Sequence, residues 1–439
     1  MREGTRTSPP PGFLHRQRIK LMTNPVNKIN KANVLFFLSI IGPGIITANV
    51  DNDAGGIATY SVAGAQYGYT LLWSLIPMLV LLILIQEMVA RLGVVTGKGL
   101  SDLIRERYGV KITFYTMLAL LITNFGNITA EFAGLAASLE IFGVSRYISV
   151  PLGAAAVWYL VVMGNYRVVE KVFLFACTVY LSYVISGFMA NPPWGDVLVA
   201  MVKPTFHIEG SYIFMLMGLI GTTIAPWMQF YQQASIVEKE VHVKDYRYVW
   251  WDVVVGCFFA VIVVFFIMVA CAATLHANGI PVKTAEDAAV ALAPLAGKYA
   301  SILFAIGLAN ASLFAASILP LSTAYSICEG MGWEAGVSKD FRDAPQFMGL
   351  YTGLIALGAA IILIPGAPLI AIMLVSQVIN GILLPFVLIF ILLLVNNREL
   401  MGEHVNGRLY NGLSWLSVLT LIALTLILLA MTVQQMIAG

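Results

Sequence analysis

Two stretches of the chain place polar and helix-breaking residues inside long apolar runs. The first reads GPGIITANVDNDAGGIATYS and contains Asp53, Gly55 and Gly56, and the second reads GLIGTTIAPWMQFYQQAS. A carboxylate at the centre of a bilayer costs roughly 2.5–3.5 kcal/mol, so Asp53 needs a compensating partner. Hard cations prefer oxygen ligands, and the two glycines free the backbone to turn carbonyls inward. The stretch predicts a metal site at Asp53 and Gly56; the alternative is that Asp53 accepts hydrogen bonds from free N–H groups of a broken helix.

The second stretch adds neutral oxygen atoms. Pro226 has no N–H group, so a carbonyl one turn earlier loses its hydrogen-bond partner. We predict the Thr222 hydroxyl and the Ala225 carbonyl as metal ligands, although a threonine in a membrane helix often bonds to the backbone four residues back. Trp227 is bulky and cannot ligate, so we expect it to shape the cavity wall. Gln232, further along, is predicted to line the aqueous path.

Four more polar residues are candidates for the surroundings of this site. Asp51 has either a vestibule role or a structural one. Glu131, within NITAEFAGLAASLE, either faces the cavity or pairs with a helix-packing neighbour. Asn380 and Gln377, nearly a turn apart in SQVINGILLPF, offer neutral oxygen atoms, but buried amides also hold membrane helices together.

A third deep carboxylate has a different explanation. Glu87 lies four residues before Arg91, which is the spacing of an ion pair on one face of a helix. We interpret this pair as structural.

The elements that carry these residues are membrane spans. Of the 439 residues, 59% are hydrophobic and 11% are charged, whereas a soluble domain carries about a quarter charged residues. This composition excludes a water-soluble fold. Apolar stretches of about twenty residues cross the roughly 30 Å hydrocarbon core as helices. We predict eleven spans: 33–66, 70–94, 112–142, 147–165, 170–190, 211–236, 248–275, 299–327, 346–364, 368–396 and 412–436.

The distribution of basic residues predicts the orientation. If the N-terminus is cytoplasmic, 21 of the 25 Lys and Arg residues fall on inside segments. This asymmetry follows the positive-inside rule and predicts a multi-pass protein of the cell (inner) membrane with an extracellular C-terminus. The polar first residues lack the apolar core of a signal peptide and are predicted to form a cytoplasmic tail.

Spans one and six are the two with helix breakers at mid-membrane. Paired interruptions in two halves are the best sequence indication of a transporter binding site, because unwound backbone at that depth must line a cavity. We therefore predict an all-α integral membrane protein with two inverted five-helix repeats, one extra helix, and broken helices 1 and 6. The predicted boundaries are a tail over 1–32, a first repeat over 33–190, an extracellular linker over 191–210, a second repeat over 211–397, and a loop with the last helix over 398–439.

From about residue 35 to 435 the chain resembles the Nramp divalent-metal transporters. GPGIITANVDNDAGG is similar to that family's first helix and places Asp53 on the aspartate of its Asp-Pro-Gly-Asn motif. QEMVARLGVVTGKGLSDLIRERYG is similar to the second helix and the following loop, and SQVINGILLPF to the tenth. The resemblance implies a leucine-transporter-type fold with the metal between the broken first and sixth helices.

The chain departs from the family pattern at the metal ligands. Ala54 stands at the motif proline, and Gly56 at the motif asparagine. The family's Met-Pro-His in the sixth helix is Ala225-Pro226-Trp227, so the thioether that selects transition metals is absent. Removing ligands widens the site, and a wider oxygen site suits Mg2+, which sheds water reluctantly.

The proton route of the family is also mostly missing. The acidic residue three positions before Glu131 is Ile128, and span nine carries no charge. Two further departures belong with the lost ligands: the second histidine of the sixth helix is Gln232, and the glutamine before Leu-Pro in the tenth is Leu383. This pattern is similar to the Nramp-related magnesium transporters, a clade without proton coupling.

The expected function is therefore uptake of divalent cations, chiefly Mg2+ with Mn2+ also accepted, without proton coupling. The main alternative is a proton-coupled Mn2+/Fe2+ importer; Ca2+ as substrate, a cation-dependent amino-acid carrier and a non-transporting scaffold are weaker. The transported Mg2+ or Mn2+ and membrane lipid are the expected partners, with no cofactor and no obligate protein partner. No basic stripe indicates nucleic acid, and no nucleophile–base set or phosphate loop indicates an enzyme.

Overall fold

The computed structural model describes residues 52–162, 177–336 and 341–438, and within those ranges the chain is helical. We number the helices in chain order. They are α1 Ala54–Tyr67, α2 Leu75–Thr96, α3 Leu100–Glu140, α4 Arg146–Val162, α5 Leu181–Met189, α6 Trp194–Val202, α7 Gly210–Thr223, α8 Pro226–Glu238, α9 Tyr246–Thr274, α10 Ala285–Ala289, α11 Ala293–Ala296, α12 Ala300–Met331, α13 Pro345–Ile362, α14 Leu369–Val395, α15 Arg398–Met401 and α16 Arg408–Ala438.

Most of the described helices follow the predicted spans, but α3 begins twelve residues before the predicted span 112–142. The predicted tail 1–32 and residues 33–51, 163–165 and 170–176 of the predicted spans lie outside the described residues. Within the described ranges, eight helical stretches are long and apolar enough to cross a membrane. The last four spans, for example, coincide with α12, α13, α14 and α16 to within four residues. Span 211–236 is divided into α7 and α8, as the position of Pro226 predicts. The predicted linker 191–210 contains the short helix α6.

The third span is bent near its beginning. Helix α3 runs over Leu100–Glu140, but Gly109 has φ 82° and ψ 167°, which is not helical. A residue with a side chain rarely adopts a positive φ of this size, so glycine permits the bend. The bend separates a short first segment from the long apolar segment that carries Glu131.

The core that positions the site is formed by five helices. Helix α3 packs against α12 and α14, and α14 packs against α7 and α1. Helices α7 and α14 approach through glycines. A Cβ atom on Gly221 would collide with the Gln377 carbonyl and the Gly381 nitrogen, and one on Gly381 would lie 2.6 Å from the Met217 carbonyl oxygen. The two backbones are therefore in direct contact.

Candidate metal-binding site

Asp53 lies where helix α1 begins, in the middle of the first predicted span. It is the N-cap residue, with φ −70° and ψ −177°, and its Oδ1 accepts a hydrogen bond of 2.6 Å from the Gly56 N–H. The side chain is 5% exposed. The capping alternative therefore applies to Oδ1, and the partial positive charge of the helix N-terminus favours the carboxylate there. Gly56 holds Asp53 through its N–H; ligation by Gly56 itself stays a prediction.

A second carboxylate reaches the same place. Glu131 on α3 is fully buried, and its Oε2 accepts a hydrogen bond of 3.3 Å from the N–H of Ala54, the residue next to Asp53. Its Oε1 has no hydrogen-bond partner among the described residues. Glu131 thus lies at the break in span one, where its side chain also interacts with that of Asp53.

The two carboxylates lack a basic partner. None of the ion pairs within residues 52–162, 177–336 and 341–438 includes Asp53 or Glu131. Two buried negative groups side by side repel each other and are costly to desolvate. A divalent cation bound here would supply the missing charge, and carboxylate oxygens are suitable ligands for Mg2+ or Mn2+.

Span six breaks at the residues that the sequence indicates. Helix α7 ends at Thr223, Ile224 has φ −131° and ψ 60°, and Ala225 has an extended backbone with φ −68° and ψ 140°. Pro226 then occupies the first position of α8, where its missing N–H costs least. The break leaves the Thr222 carbonyl without the N–H donor that an unbroken helix would give it.

The two predicted ligands in this break differ in their partners. The Thr222 hydroxyl is buried and has no hydrogen-bond partner in the described part of the chain, so it does not form the backbone bond of the alternative explanation. The Ala225 carbonyl accepts hydrogen bonds from the Met228 N–H at 3.2 Å and from the Gln229 amide at 3.4 Å. Thr222 therefore has the more available oxygen, and ligation by Ala225 would compete with those two bonds.

Helix α14 brings a third side chain to the break in span one. The Gln377 amide nitrogen lies against Gly55, at the place where a Cβ atom would be, and Asp53 Oδ1 lies 3.3 Å from that same point. The Gln377 nitrogen has no hydrogen-bond partner in the described ranges, whereas its oxygen accepts a bond of 2.9 Å from Asn380. Gln377 therefore borders Asp53, and Asn380 lies behind it.

The other two predicted residues lie along α8. Trp227 is 2% exposed, and its ring centroid lies 6.1 Å from that of Tyr231. Gln232 is 1% exposed, and neither of its amide atoms has a partner within the described residues. An unpaired buried amide is costly unless water reaches it, which suits the predicted aqueous path. Asp51, also predicted, lies outside the described residues.

Two residues near the site were not identified from sequence. Asn127 on α3 exchanges hydrogen bonds with Asn380, and Gln229 contacts the Ala225 carbonyl. A signal for Asn127 exists, because it lies four residues before Glu131 and so shares its helix face. Gln229 lies four residues after Ala225, which is the spacing that could have indicated their contact. The contact forms only because a helix begins directly after Ala225.

The chain is similar to known proteins over most of its length. The family model described as "Natural resistance-associated macrophage protein-like" matches residues 44–431. The "Divalent metal cation transporter MntH" of Yersinia pestis (strain Pestoides F) is 27% identical over 428 residues, which cover 95% of this chain and 99% of that protein.

Solved structures show the same fold. A manganese transporter of Eremococcus coleocola, in complex with an aromatic bis-isothiourea substituted compound, has a TM-score of 0.74 at 22% identity and covers 92% of this chain and 88% of its own. Mhp1, a nucleobase-cation-symport-1 family transporter, has a TM-score of 0.56 at 16% identity. The match covers 89% of this chain and 92% of Mhp1. These likenesses confirm the predicted fold class.

Proposed function

This chain belongs to the Nramp family of divalent-metal transporters, and we propose that it takes up mainly Mg2+, accepts Mn2+ and does not couple transport to protons. The family match and the apolar helices make it a multi-pass membrane protein. The relatives named above are transporters, not enzymes. The proposal also includes the inner membrane as the location, a cytoplasmic N-terminus, an extracellular C-terminus, and repeats over 33–190 and 211–397.

One observation supports the cation site above all others. Two carboxylates, Asp53 and Glu131, meet at the start of α1 without a basic partner among the described residues, and Glu131 Oε1 is left without a hydrogen-bond donor. The Thr222 hydroxyl is a further buried oxygen without a partner there. Such oxygens can ligate a hard cation directly, or accept hydrogen bonds from the waters that it retains.

Mg2+ as the main substrate is supported by the kinds of atom at the break. Ala225 supplies no sulfur, and Trp227 supplies no imidazole. Soft or nitrogen ligands favour transition metals, whereas oxygen ligands with retained water favour Mg2+. Mn2+ is a hard ion as well, so the same oxygens accept it.

Uncoupled transport is supported by the polar groups behind the site. The side chain that precedes Glu131 by three residues is Ile128, and the hydrogen bonds nearby on α3 are between neutral groups, Asn127 with Asn380 and Asn124 with Thr323. Neutral amides do not take up and release protons at physiological pH. The membrane potential alone suffices, because a divalent ion gains roughly 4.6 kcal/mol at −100 mV.

A proton-coupled Mn2+ importer is the second candidate. The name of the Eremococcus coleocola manganese transporter favours Mn2+ as the substrate. The buried Glu131, a carboxylate that can carry a proton, favours the coupling. We rank it second because no second acidic group lies beside Glu131 on α3.

The test is uptake into proteoliposomes that contain a Mg2+-sensitive dye, with a pH dye in parallel and the membrane potential clamped. We expect Mg2+ entry that increases with an inside-negative potential and no acidification, and no entry into protein-free liposomes. Entry of Mn2+ alone, accompanied by protons, would contradict both the substrate and the mechanism.

A further inference from the structure

Two buried amides form a reciprocal pair between α3 and α14. Asn127 donates to the Asn380 oxygen at 3.0 Å, and Asn380 donates to the Asn127 oxygen at 2.9 Å. Each residue is 1% exposed. A pair that exchanges two hydrogen bonds in a buried place fixes both side chains, because breaking either bond leaves an unsatisfied buried group.

The pair also determines the orientation of Gln377. Asn380 uses its second N–H to donate to the Gln377 oxygen at 2.9 Å. That bond occupies the oxygen and directs the Gln377 nitrogen toward Gly55 and Asp53, and the nitrogen has no hydrogen-bond partner in the described chain. The neighbouring carboxylate favours this arrangement, because an amide oxygen in the same place would put two acceptors side by side.

We propose that the Asn127–Asn380 pair is a positioning device that withholds the Gln377 oxygen from the transported ion and so sets the preference for Mg2+. The inference rests on the proposed function, since it explains how the same site chooses between ions. Gln377 presents an N–H group, and not its oxygen, on the side where Asp53 lies. The ion therefore finds one oxygen ligand fewer and keeps a water molecule in its place.

Withholding a ligand discriminates between ions by their hydration. Mg2+ dehydrates reluctantly and usually keeps several waters, so it loses little when a protein oxygen is absent. Mn2+ accepts more direct protein ligands. If Gln377 were free to turn, its oxygen would favour the less hydrated ion, and the advantage of Mg2+ over Mn2+ would fall.

A second amide on α3 provides a matched control. Asn124 donates to the Thr323 hydroxyl at 2.8 Å and thereby joins α3 to α12. It is fully buried and lies three residues before Asn127, but its recorded bond is to Thr323 and not to Gln377. Loss of Asn124 removes a buried amide from the same helix without releasing Gln377.

The experiment measures the Mg2+ concentration that halves Mn2+ uptake into proteoliposomes, together with the KM for Mn2+. We expect Asn380→Leu to raise the ratio of the Mg2+ half-inhibition concentration to the Mn2+ KM by about fivefold, the scale of one hydrogen bond. Asn124→Leu should leave this ratio within about twofold of the wild type. An equal change in both variants would mean a general packing effect and would overturn the proposal.

A double variant tests the role of Gln377 directly. In the Gln377→Leu background no amide oxygen can be released, so adding Asn380→Leu should leave the ratio unchanged. A fivefold change that persists in this background would also overturn the proposal. Size-exclusion chromatography checks that each variant is folded. If Asn380→Leu does not fold, Asn380→Ala is used in its place.

The measurement separates this inference from the proposed function. Direct Mg2+ entry into proteoliposomes tests the function, whereas competition against Mn2+ uptake reports the preference of the site even if Mg2+ binds without crossing. Wild-type protein that carries Mn2+ alone would refute the function, and the ratios of the variants would still decide the role of Asn380.

Discussion

Glu87 and Glu131 are both buried carboxylates in apolar helices, yet their surroundings are opposite. Glu87 on α2 is 7% exposed and accepts hydrogen bonds from Arg91 at 2.9 and 3.1 Å. The hydroxyl groups of Tyr246 and Tyr410 also donate to it. The two Glu87 oxygens thus accept four hydrogen bonds from three side chains, which join α2 to the first turns of α9 and α16.

Glu131 accepts a hydrogen bond of 3.3 Å from the Ala54 N–H at its Oε2. Its Oε1 has no hydrogen-bond partner in the described ranges. The difference shows how to separate a structural carboxylate from a functional one in a membrane. A buried charge whose acceptors are all occupied stabilises the fold, while one with a free oxygen beside a second carboxylate is suited to a cation. Three experiments test this distinction and the site that it identifies.

The largest effect is expected for Asp53→Asn. Asparagine caps a helix about as well as aspartate, so α1 should still begin at Ala54. The negative charge is lost, and we expect uptake to fall about a hundredfold, which corresponds to roughly 3 kcal/mol. The measurement is initial uptake of Mg2+ and Mn2+ in proteoliposomes; uptake near the wild-type rate would remove Asp53 from the site.

A matched pair, Glu87→Gln and Glu131→Gln, comes next. Glu87→Gln leaves Arg91 without its ionic partner, so we expect a loss of about 3–5 kcal/mol in the free energy of unfolding, with uptake per folded molecule unchanged. Glu131→Gln should do the reverse, with roughly tenfold slower uptake and little change in stability, because a charge-assisted contact to the ion is lost.

For Glu87→Gln and Glu131→Gln alike, we measure thermal unfolding in detergent and uptake into proteoliposomes. If the two variants lose stability equally and uptake equally, the distinction between the two carboxylates is wrong.

The smallest effect is expected for Thr222→Val. The hydroxyl has no partner in the described structure, so replacing it with a methyl group should leave stability unchanged or raise it by up to about 1 kcal/mol. Uptake should fall about two- to fivefold, as for one lost hydrogen bond to the ion or its water. Thr223→Val is the control, because that hydroxyl pairs with Tyr60 at 3.3 Å. Slower uptake in Thr223→Val, with unchanged uptake in Thr222→Val, would assign the ligand to Thr223 and not to Thr222.

Much of this fold follows from local sequence. Apolar length predicts the spans, Pro226 predicts the break between α7 and α8, and the four-residue spacing predicts the Glu87–Arg91 pair, which is confirmed at 2.9 Å. Each of these depends on residues close together in the chain. The alternative for Asp53, a carboxylate that caps a broken helix, is of the same kind.

The contacts that complete the site are not local. Asn127 and Asn380 are 253 positions apart, and Glu131 meets Ala54 across 77. A single sequence gives the periodicity of each helix but not the rotation of one helix against another, so it cannot show which polar faces meet. The same reason explains why Tyr246 and Tyr410 were not foreseen as partners of Glu87.

The contact between α7 and α14 constrains how the protein can move. Gly221 meets the backbone of α14, and Gly381 meets the Met217 carbonyl of α7, with no side-chain layer between them. Sliding or rolling one helix on the other would force backbone atoms into overlap. We therefore expect α7 and α14 to move together near this contact during transport.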